Sequence, residues 1–356
     1  MSDRFDYASP ALKVLFGAGR SAEVADAVGQ VGGTRALVLS TPEQEGLAND
    51  IAGRLGGVSG GVFAGARMHT PVAVTEEAMA VVGQGGIDCV VSVGGGSTIG
   101  LGKAIALRTD LPQVAIPTTY AGSEMTDILG ETRDGAKVTQ RTDKVRPEIV
   151  IYDVDLTLTL PASLSATSGM NAIAHAVEAL YARDGNPVIT LMAEEAVRAF
   201  ASSLPTIVDA PDDRDARASA QYGAWLCGMC LNAVSMALHH KLCHVLGGTF
   251  NLPHAETHTI VLPHATAYNA PAAPDAMTRL ARALGASDAA QGLFELNQRL
   301  GAPTALRDIG MPEEGIEPAV DAAIANPYWN PRPLEKDALG DLIANAFHGR
   351  SPSGEI

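Results

Sequence analysis

For about the first 150 residues the chain alternates short β-rich apolar runs with longer helical patterns, and few folds accept that alternation. Residues 35–40, 88–93 and 113–116 read as strands, and 43–55 and 97–108 as the helices between them. Strands separated by helices must run parallel, because a crossover helix returns the chain to the same end of the sheet. After Asp153 the pattern changes. Residues 164–182, 187–203, 215–238 and 276–284 read as Ala-rich helices with few strand signals between them. The expected architecture is an α/β domain over 1–158 and an all-helical domain over 159–356, meeting across a ligand-binding cleft without a long linker.

Composition narrows the partners. At 356 residues the chain is long for one core and suits two. Its net charge of -15 repels nucleic acid and anionic lipid, and no run of Lys or Arg supplies a local exception, so neither partner is expected. An anionic substrate must therefore meet a local positive site. Residues 1–10 lack the basic and apolar regions of an export signal, and no apolar run approaches the ~20 residues that span a bilayer. A soluble, cytoplasmic protein is expected. The four cysteines, Cys89, Cys227, Cys230 and Cys243, are too sparse for a disulfide framework. Cys227 and Cys230 form a C-x-x-C with a redox or metal reading, but they sit in an apolar helical run with no second such pair, which favours buried structural thiols.

Two segments carry chemistry. In Val91-Ser-Val-Gly-Gly-Gly-Ser-Thr98 a hydrophobic strand runs into three glycines and then a helix. Glycine lets backbone amides approach a phosphate, and the helix N-terminus adds partial positive charge; the same triplet also serves as a tight turn. The next strand ends in Ile116-Pro-Thr-Thr-Tyr-Ala-Gly-Ser-Glu124, placing two hydroxyls where ligands gather in open α/β sheets.

Six of the nine histidines fall between His239 and His264. His240 and His244 are four apart and share a helix face, and the Gly247-Gly248 pair is read as a break that folds Pro253-His254 back toward them. Upstream, Asn171 and His175 are four apart on another helix. Two such pairs facing one cleft would build a metal site or a polar substrate pocket. His69, His239, His258, His264 and His348 are read as ordinary core or surface residues.

The strand-GGGST-helix unit, the Pro-Thr-Thr turn, the Asn and His four apart, and the H-x3-H followed by Pro-His together resemble the iron-containing alcohol dehydrogenase family, over most of the chain. Within it, 94–107, 118–126 and 221–231 look like the maleylacetate reductase subfamily. The resemblance implies a Rossmann-like N-terminal domain, an all-α C-terminal domain, a homodimer, and NADH or NADPH as cofactor. By position, Gly95, Gly96 and Ser97 would hold the pyrophosphate, Thr118 and Thr119 would line the cofactor channel, Lys137 would contact the ribose side, and Ser40 and Thr41 would face the adenosine ribose. Thr41 stands where NADH-selective members carry aspartate, so use of both cofactors is expected.

Family members that bind iron or zinc use an aspartate and three histidines, and the matching positions here are Asn171, His175, His240 and His254. A neutral amide is a weaker partner for a divalent cation than a carboxylate, so no tightly bound metal is expected. The implied reaction is hydride transfer to a carbon–carbon double bond conjugated to a ketone, then protonation, converting a small dicarboxylate, 2-maleylacetate, to 3-oxoadipate in aromatic-compound degradation. His175, His240, His244 and His254, with Lys241 nearby, would offset the substrate's charge and donate hydrogen bonds, and His244 is the first candidate for proton donor. The alternatives are an alcohol or aldehyde dehydrogenase of the family with a degenerate metal site, a non-catalytic ligand-binding protein, and a lyase of the dehydroquinate synthase type.

Overall fold

The computed structural model describes residues 5, 7, 8, 12–133 and 136–352, excepting the side chains of residues 136 and 137. The chain divides into two units, one of residues 8–160 and one of the residues from 161 onward together with those before residue 8.

The first unit is a six-stranded parallel sheet of β1 (Lys13–Phe16), β2 (Ala36–Leu39), β3 (Ser59–Phe63), β4 (Cys89–Gly94), β5 (Gln113–Pro117) and β8 (Ile149–Tyr152), in the order β1-β8-β5-β4-β2-β3. An antiparallel hairpin, β6 (Ile128–Arg133) with β7 (Ala136–Arg141), lies outside that sheet and had no sequence signal. The central strands are apolar on both faces because helices cover both. Ala36, Val38, Val91 and Val93 pack with α1 (Val24–Gln30) and α2 (Glu45–Leu55), whereas Leu37, Leu39 and Val90 pack with α3 (Val72–Gly85) and α4 (Gly96–Thr109). That alternation is the period of two of a strand read on both faces. Neighbours β4 and β5 are paired to their ends, Gly94 opposite Pro117, so the glycine loop and the Thr118-Thr119 turn leave the same edge side by side.

The second unit is helical: α5 (Ala162–Tyr181), α6 (Pro187–Asp209), α7 (Arg214–Ala233), α8 (Leu238–Phe250), α9 (His254–Asn269), α10 (Pro274–Leu284), α11 (Ala289–Arg299), α12 (Ile316–Ala325) and α13 (Lys336–His348). Leu242, Leu246, Ile260, Val261, Leu339 and Leu342 are among the side chains that close α8, α9, α12 and α13 over one core. Among the described residues no helix is long and apolar enough to cross a membrane.

Two sequence expectations are corrected here. The helix read across 215–238 is two helices, interrupted at Val234, which is extended. The backbone amides that follow find side-chain carboxylates instead of helical carbonyls: Ser235 N–H donates to Asp184, and the N–H groups of Ala237 and His239 to Glu178. Nor does the Gly247-Gly248 pair break the chain. The helix runs on to Phe250, and the reversal comes at Asn251, left-handed with φ 52°, followed by Pro253 at the start of α9. Burial of Leu242 and Leu246 outweighs the ~1 kcal/mol that a helical glycine costs.

Candidate active site

In the first unit the glycines do distinct work. Gly94 adopts φ 153°, and a Cβ there would lie 2.5 Å from Thr98 Oγ1. A Cβ on Gly95 would lie 2.9 Å from Thr119 Cγ2, so the glycine loop and the threonine turn are packed backbone against side chain. Gly96, by contrast, is exposed and opens α4; the Thr98 and Ile99 N–H groups already donate to Gly95 O, which leaves the Gly96 and Ser97 amides without a helical carbonyl to bond. With Ser97 half-buried beside it, this is a surface suited to a pyrophosphate. Thr118 is tied down, its N–H to Gly94 O and its hydroxyl accepting from Gln44 Nε2 at 3.0 Å. Thr119 is half-buried. Ser40 is fully buried with both backbone groups paired, N–H to Phe63 O and C=O to Ala66 N–H, so of the Ser40–Thr41 pair Thr41 reaches the surface. The Lys137 side chain lies outside the described residues.

A residue the sequence did not single out supports this loop. Lys103 on α4 is fully buried, and its ammonium donates to Ser123 O, Thr126 O, Thr126 Oγ1 and Ile128 O at 2.6–2.9 Å. Burial pulls its pKa down to about 7, and the negative charges of Glu124 and Asp127 oppose that fall. The result is a pin across the segment that follows Thr118 and Thr119.

In the second unit, α5 presents Asn171, His175 and Glu178 on one face, α8 presents His239, His240 and His244, and α9 opens at His254 with His258 one turn later. The rings form a continuous group: His175 stacks on His240 with centroids 5.1 Å apart, His240 lies 5.0 Å from His258, and His258 lies 4.3 Å from His254. His244 sits at the exposed edge, 6.3 Å from His240. His258 and His239, read from sequence as ordinary residues, belong to this group; both are fully buried and joined by a 3.0 Å contact between His239 Nε2 and His258 Nδ1. His264 lies apart, against Phe294.

Glu178 organises the group. It is fully buried, with Oε1 accepting from His239 N–H and Oε2 from Ala237 N–H, at 2.8 and 2.7 Å, so the carboxylate sits at the positive end of α8. Its Oε2 also lies 2.8 Å from His240 Nδ1. A carboxylate accepts, so Nδ1 carries a proton and Nε2 faces the cluster without a partner, as do Asn171 Oδ1 and His175 Nδ1. Burial drives the pKa of His175, His239 and His258 well below the ordinary histidine value, with the neighbouring imidazoles adding to the effect. These three rings are neutral donors and acceptors. In that form His175 offers a substrate hydrogen bonds and no charge.

The donor set also bears on a metal. Among the described residues, His239, Cys243 and His258 are the one group of three His, Cys, Asp or Glu whose donor atoms all lie within 4.8 Å of one another; His175, His240 and His254 are not such a group. Asn171, the position of the acidic ligand, contributes an uncharged oxygen. Three imidazoles and an amide, with no anionic donor among them, suit tight binding of a divalent cation less well than a set that includes a carboxylate. The C-x-x-C is structural: Cys227 and Cys230 are buried, and burial pushes both thiols up, Cys230 to about 12.

A doubly wound sheet with a glycine loop at paired strand ends, followed by a helical unit built around a histidine cluster, is the architecture of the iron-containing alcohol dehydrogenases. The chain belongs to the iron-containing alcohol dehydrogenase family: residues 10–154 match the model described as iron-containing alcohol dehydrogenase, and 165–347 that of the family's C-terminal region. It is 57% identical to a maleylacetate reductase of Burkholderia cepacia, covering 96% of this chain and 97% of that one, and 55% identical to that of Sphingobium indicum, covering 98% and 99%. The crystal structure of a maleylacetate reductase from Agrobacterium tumefaciens superposes with a TM-score of 0.96 at 54% identity, covering 99% of this chain and all of that one.

Proposed function

We propose that this protein is a maleylacetate reductase that uses NADH or NADPH, works in the cytoplasm as a homodimer, and serves the breakdown of aromatic compounds. The observation that carries the reading is identity above 50% to maleylacetate reductases along almost the whole chain, through both the glycine loop and the histidine cluster. The glycine loop, Ser97 and the Thr118-Thr119 turn would hold the cofactor, which when bound supplies a hydride. The helical unit then has to bind a dianion, stabilise the enolate formed when hydride adds β to the ketone, and return a proton to the α carbon.

Its residues suit those tasks without a metal. The Asn171 amide can donate to a carboxylate or enolate oxygen, which an aspartate would repel. His240 is fixed by Glu178 in one ring orientation, so its Nε2 is set in place before substrate arrives; when that nitrogen also carries a proton it donates toward the enolate oxygen, and a donor already in position stabilises developing charge at little reorganisation cost. An alcohol dehydrogenase gains from a cation that stabilises an alkoxide; the enolate formed when hydride adds to an alkene conjugated to a ketone can be held by hydrogen bonds.

The test is direct. Protein treated with a strong chelator and shown metal-free by elemental analysis, given maleylacetate, should oxidise NADH at a rate close to that of untreated protein, with 3-oxoadipate as product. Turnover of simple aldehydes but not maleylacetate would overturn the assignment. Loss of activity on chelation, restored by iron or zinc, would overturn the metal-free part alone.

A further inference from the structure

The segment between α12 and α13 contributes to the histidine cluster in a way no local pattern announced. Residues 327–333, Pro-Tyr-Trp-Asn-Pro-Arg-Pro, carry three prolines and are clamped by Asn330. The Asn330 and Asn269 amides bond reciprocally at 2.9 and 2.7 Å, Asn330 Nδ2 also donates to Arg332 O, and Asn330 Oδ1 takes a long 3.4 Å bond from Leu238 N–H at the start of α8. Arg332 is held in turn against the Tyr268 ring and bonds its carbonyl.

What this clamp presents is Tyr328, about two-fifths exposed at 39%, with its hydroxyl 3.1 Å from His244 Nδ1 and its ring 5.6 Å from Lys241 Nζ. The second unit has two lysines. Lys336 pairs with Asp321, whereas Lys241 makes no ion pair among the described residues. In a chain carrying 40 acidic residues against 25 Lys and Arg, a half-buried lysine beside an imidazole cluster and free of any carboxylate is positive charge left open.

We propose that Lys241, Tyr328 and His244 form a carboxylate-binding subsite that holds one end of a dicarboxylate substrate. Lys241 supplies the charge. When His244 Nδ1 carries the ring proton it donates to the phenol oxygen and leaves the phenol hydrogen for an anionic oxygen. Burial, with the negative charge of Glu178 adding to it, raises the pKa of Tyr328 and keeps it a donor. Because the buried imidazoles His175, His239 and His258 are neutral, the substrate's second charge has to be met elsewhere, and Lys241 is the cation placed to meet it. The subsite deepens the proposed function and rests on its choice of a dianionic substrate.

Adipate, a saturated dicarboxylate that cannot be reduced, separates the two. Wild-type protein with bound NAD⁺ should bind adipate in a calorimeter, and Lys241→Met and Tyr328→Phe should each weaken that binding by roughly tenfold or more, with Lys241→Arg retaining most of it. Butyrate, with one carboxylate, should bind weakly to all four proteins. In turnover the KM for maleylacetate should rise by a similar factor in the two disruptive variants, while kcat stays within about threefold and the KM for NADH is unchanged. Unaltered adipate affinity in Lys241→Met and Tyr328→Phe, or loss of kcat with no change in KM, would overturn the subsite. Adipate binding that depends on these residues in a protein that fails to reduce maleylacetate would overturn the reductase assignment and leave the subsite standing.

Discussion

Replacing Glu178 by glutamine keeps size and shape while removing one acceptor oxygen and the charge. The carboxylate receives three N–H groups on two oxygens, from His239 on one and from Ala237 and His240 Nδ1 on the other. Glutamine does least damage with its oxygen in the doubly bonded place, which sets its NH2 against the His239 N–H. One buried donor is then orphaned, at about 1–3 kcal/mol, and two charge-assisted bonds become neutral ones, at about 1 kcal/mol each. The expected loss is about 3–5 kcal/mol, confined to the helical unit and read as a lowered transition in thermal or urea unfolding followed by circular dichroism. Catalysis should fall further than stability explains, because the amide oxygen still accepts from His240 Nδ1 but no longer supplies the negative charge that favours a proton on the ring's other nitrogen. Groups that orient a working imidazole typically matter by about 10–100-fold, so kcat for maleylacetate should drop by that factor at temperatures where the variant is fully folded, with the KM for NADH unchanged. A folded Glu178→Gln protein with wild-type kcat would refute the claim that this carboxylate sets His240 for catalysis. Unfolding within about 0.5 kcal/mol of wild type would refute the hydrogen-bond accounting.

Three further outcomes are expected. Asn171→Asp should bind zinc or iron more tightly, measured by competition with a chromogenic chelator, yet reduce maleylacetate at least about tenfold more slowly because it sets a carboxylate beside a dianion. Thr41 donates its hydroxyl to the Glu43 carboxylate, which disfavours a 2′-phosphate, so NADPH should serve as well as NADH or worse by no more than about tenfold in kcat/KM; Glu43→Gln should narrow that gap and Thr41→Asp widen it. His264 is fully buried with both ring nitrogens unpartnered, and burial lowers its pKa to about 4 from an ordinary value of about 6.5. The unfolded chain therefore takes up this proton first as pH falls, so stability is full above about 6.5 and lost toward about 4; between pH 7.5 and 5 the wild type should lose about 2 kcal/mol more than His264→Leu.

What the sequence disclosed was what period and composition encode. The strands at 36–39, 89–94 and 113–117 announce themselves because residues buried on both faces leave unbroken apolar runs, and glycine must stand where Thr98 and Thr119 leave no room for a Cβ. Crowding disclosed the histidines. Glu178 had a signal that went unread, since Asn171, His175 and Glu178 at spacings of four and three share a helix face. Its role as acceptor for the start of α8 could not be read, because that bond spans 59 residues and ends the preceding helix by tertiary contact, not by a breaker residue. The Gly247-Gly248 pair misled for the complementary reason: local propensity of about 1 kcal/mol per glycine yields to a buried leucine face. Tyr328 meets His244 across 84 residues through a loop with no period of its own, so only the folded chain reveals it.

The distribution of charge ties these residues into one account. A site that receives a dianion inside a protein of net charge -15 needs positive charge close by and negative charge kept out of reach. Asn171 removes a carboxylate from the front of the cluster. The carboxylate that remains, Glu178, has both oxygens committed to N–H groups of α8 and to His240, so its charge is spent on the helix terminus and on the orientation of one ring. The three buried imidazoles stay neutral, because charging them in so dry and crowded a group costs more than a neighbouring ring returns. Positive charge is left at the rim, on Lys241 over the Tyr328 ring, where solvent lowers the cost of keeping it. Under this arrangement the interior supplies hydrogen-bond geometry and the rim supplies charge. Altering Lys241 should therefore change how tightly and at what ionic strength the substrate binds, and altering Glu178 should change how fast it reacts.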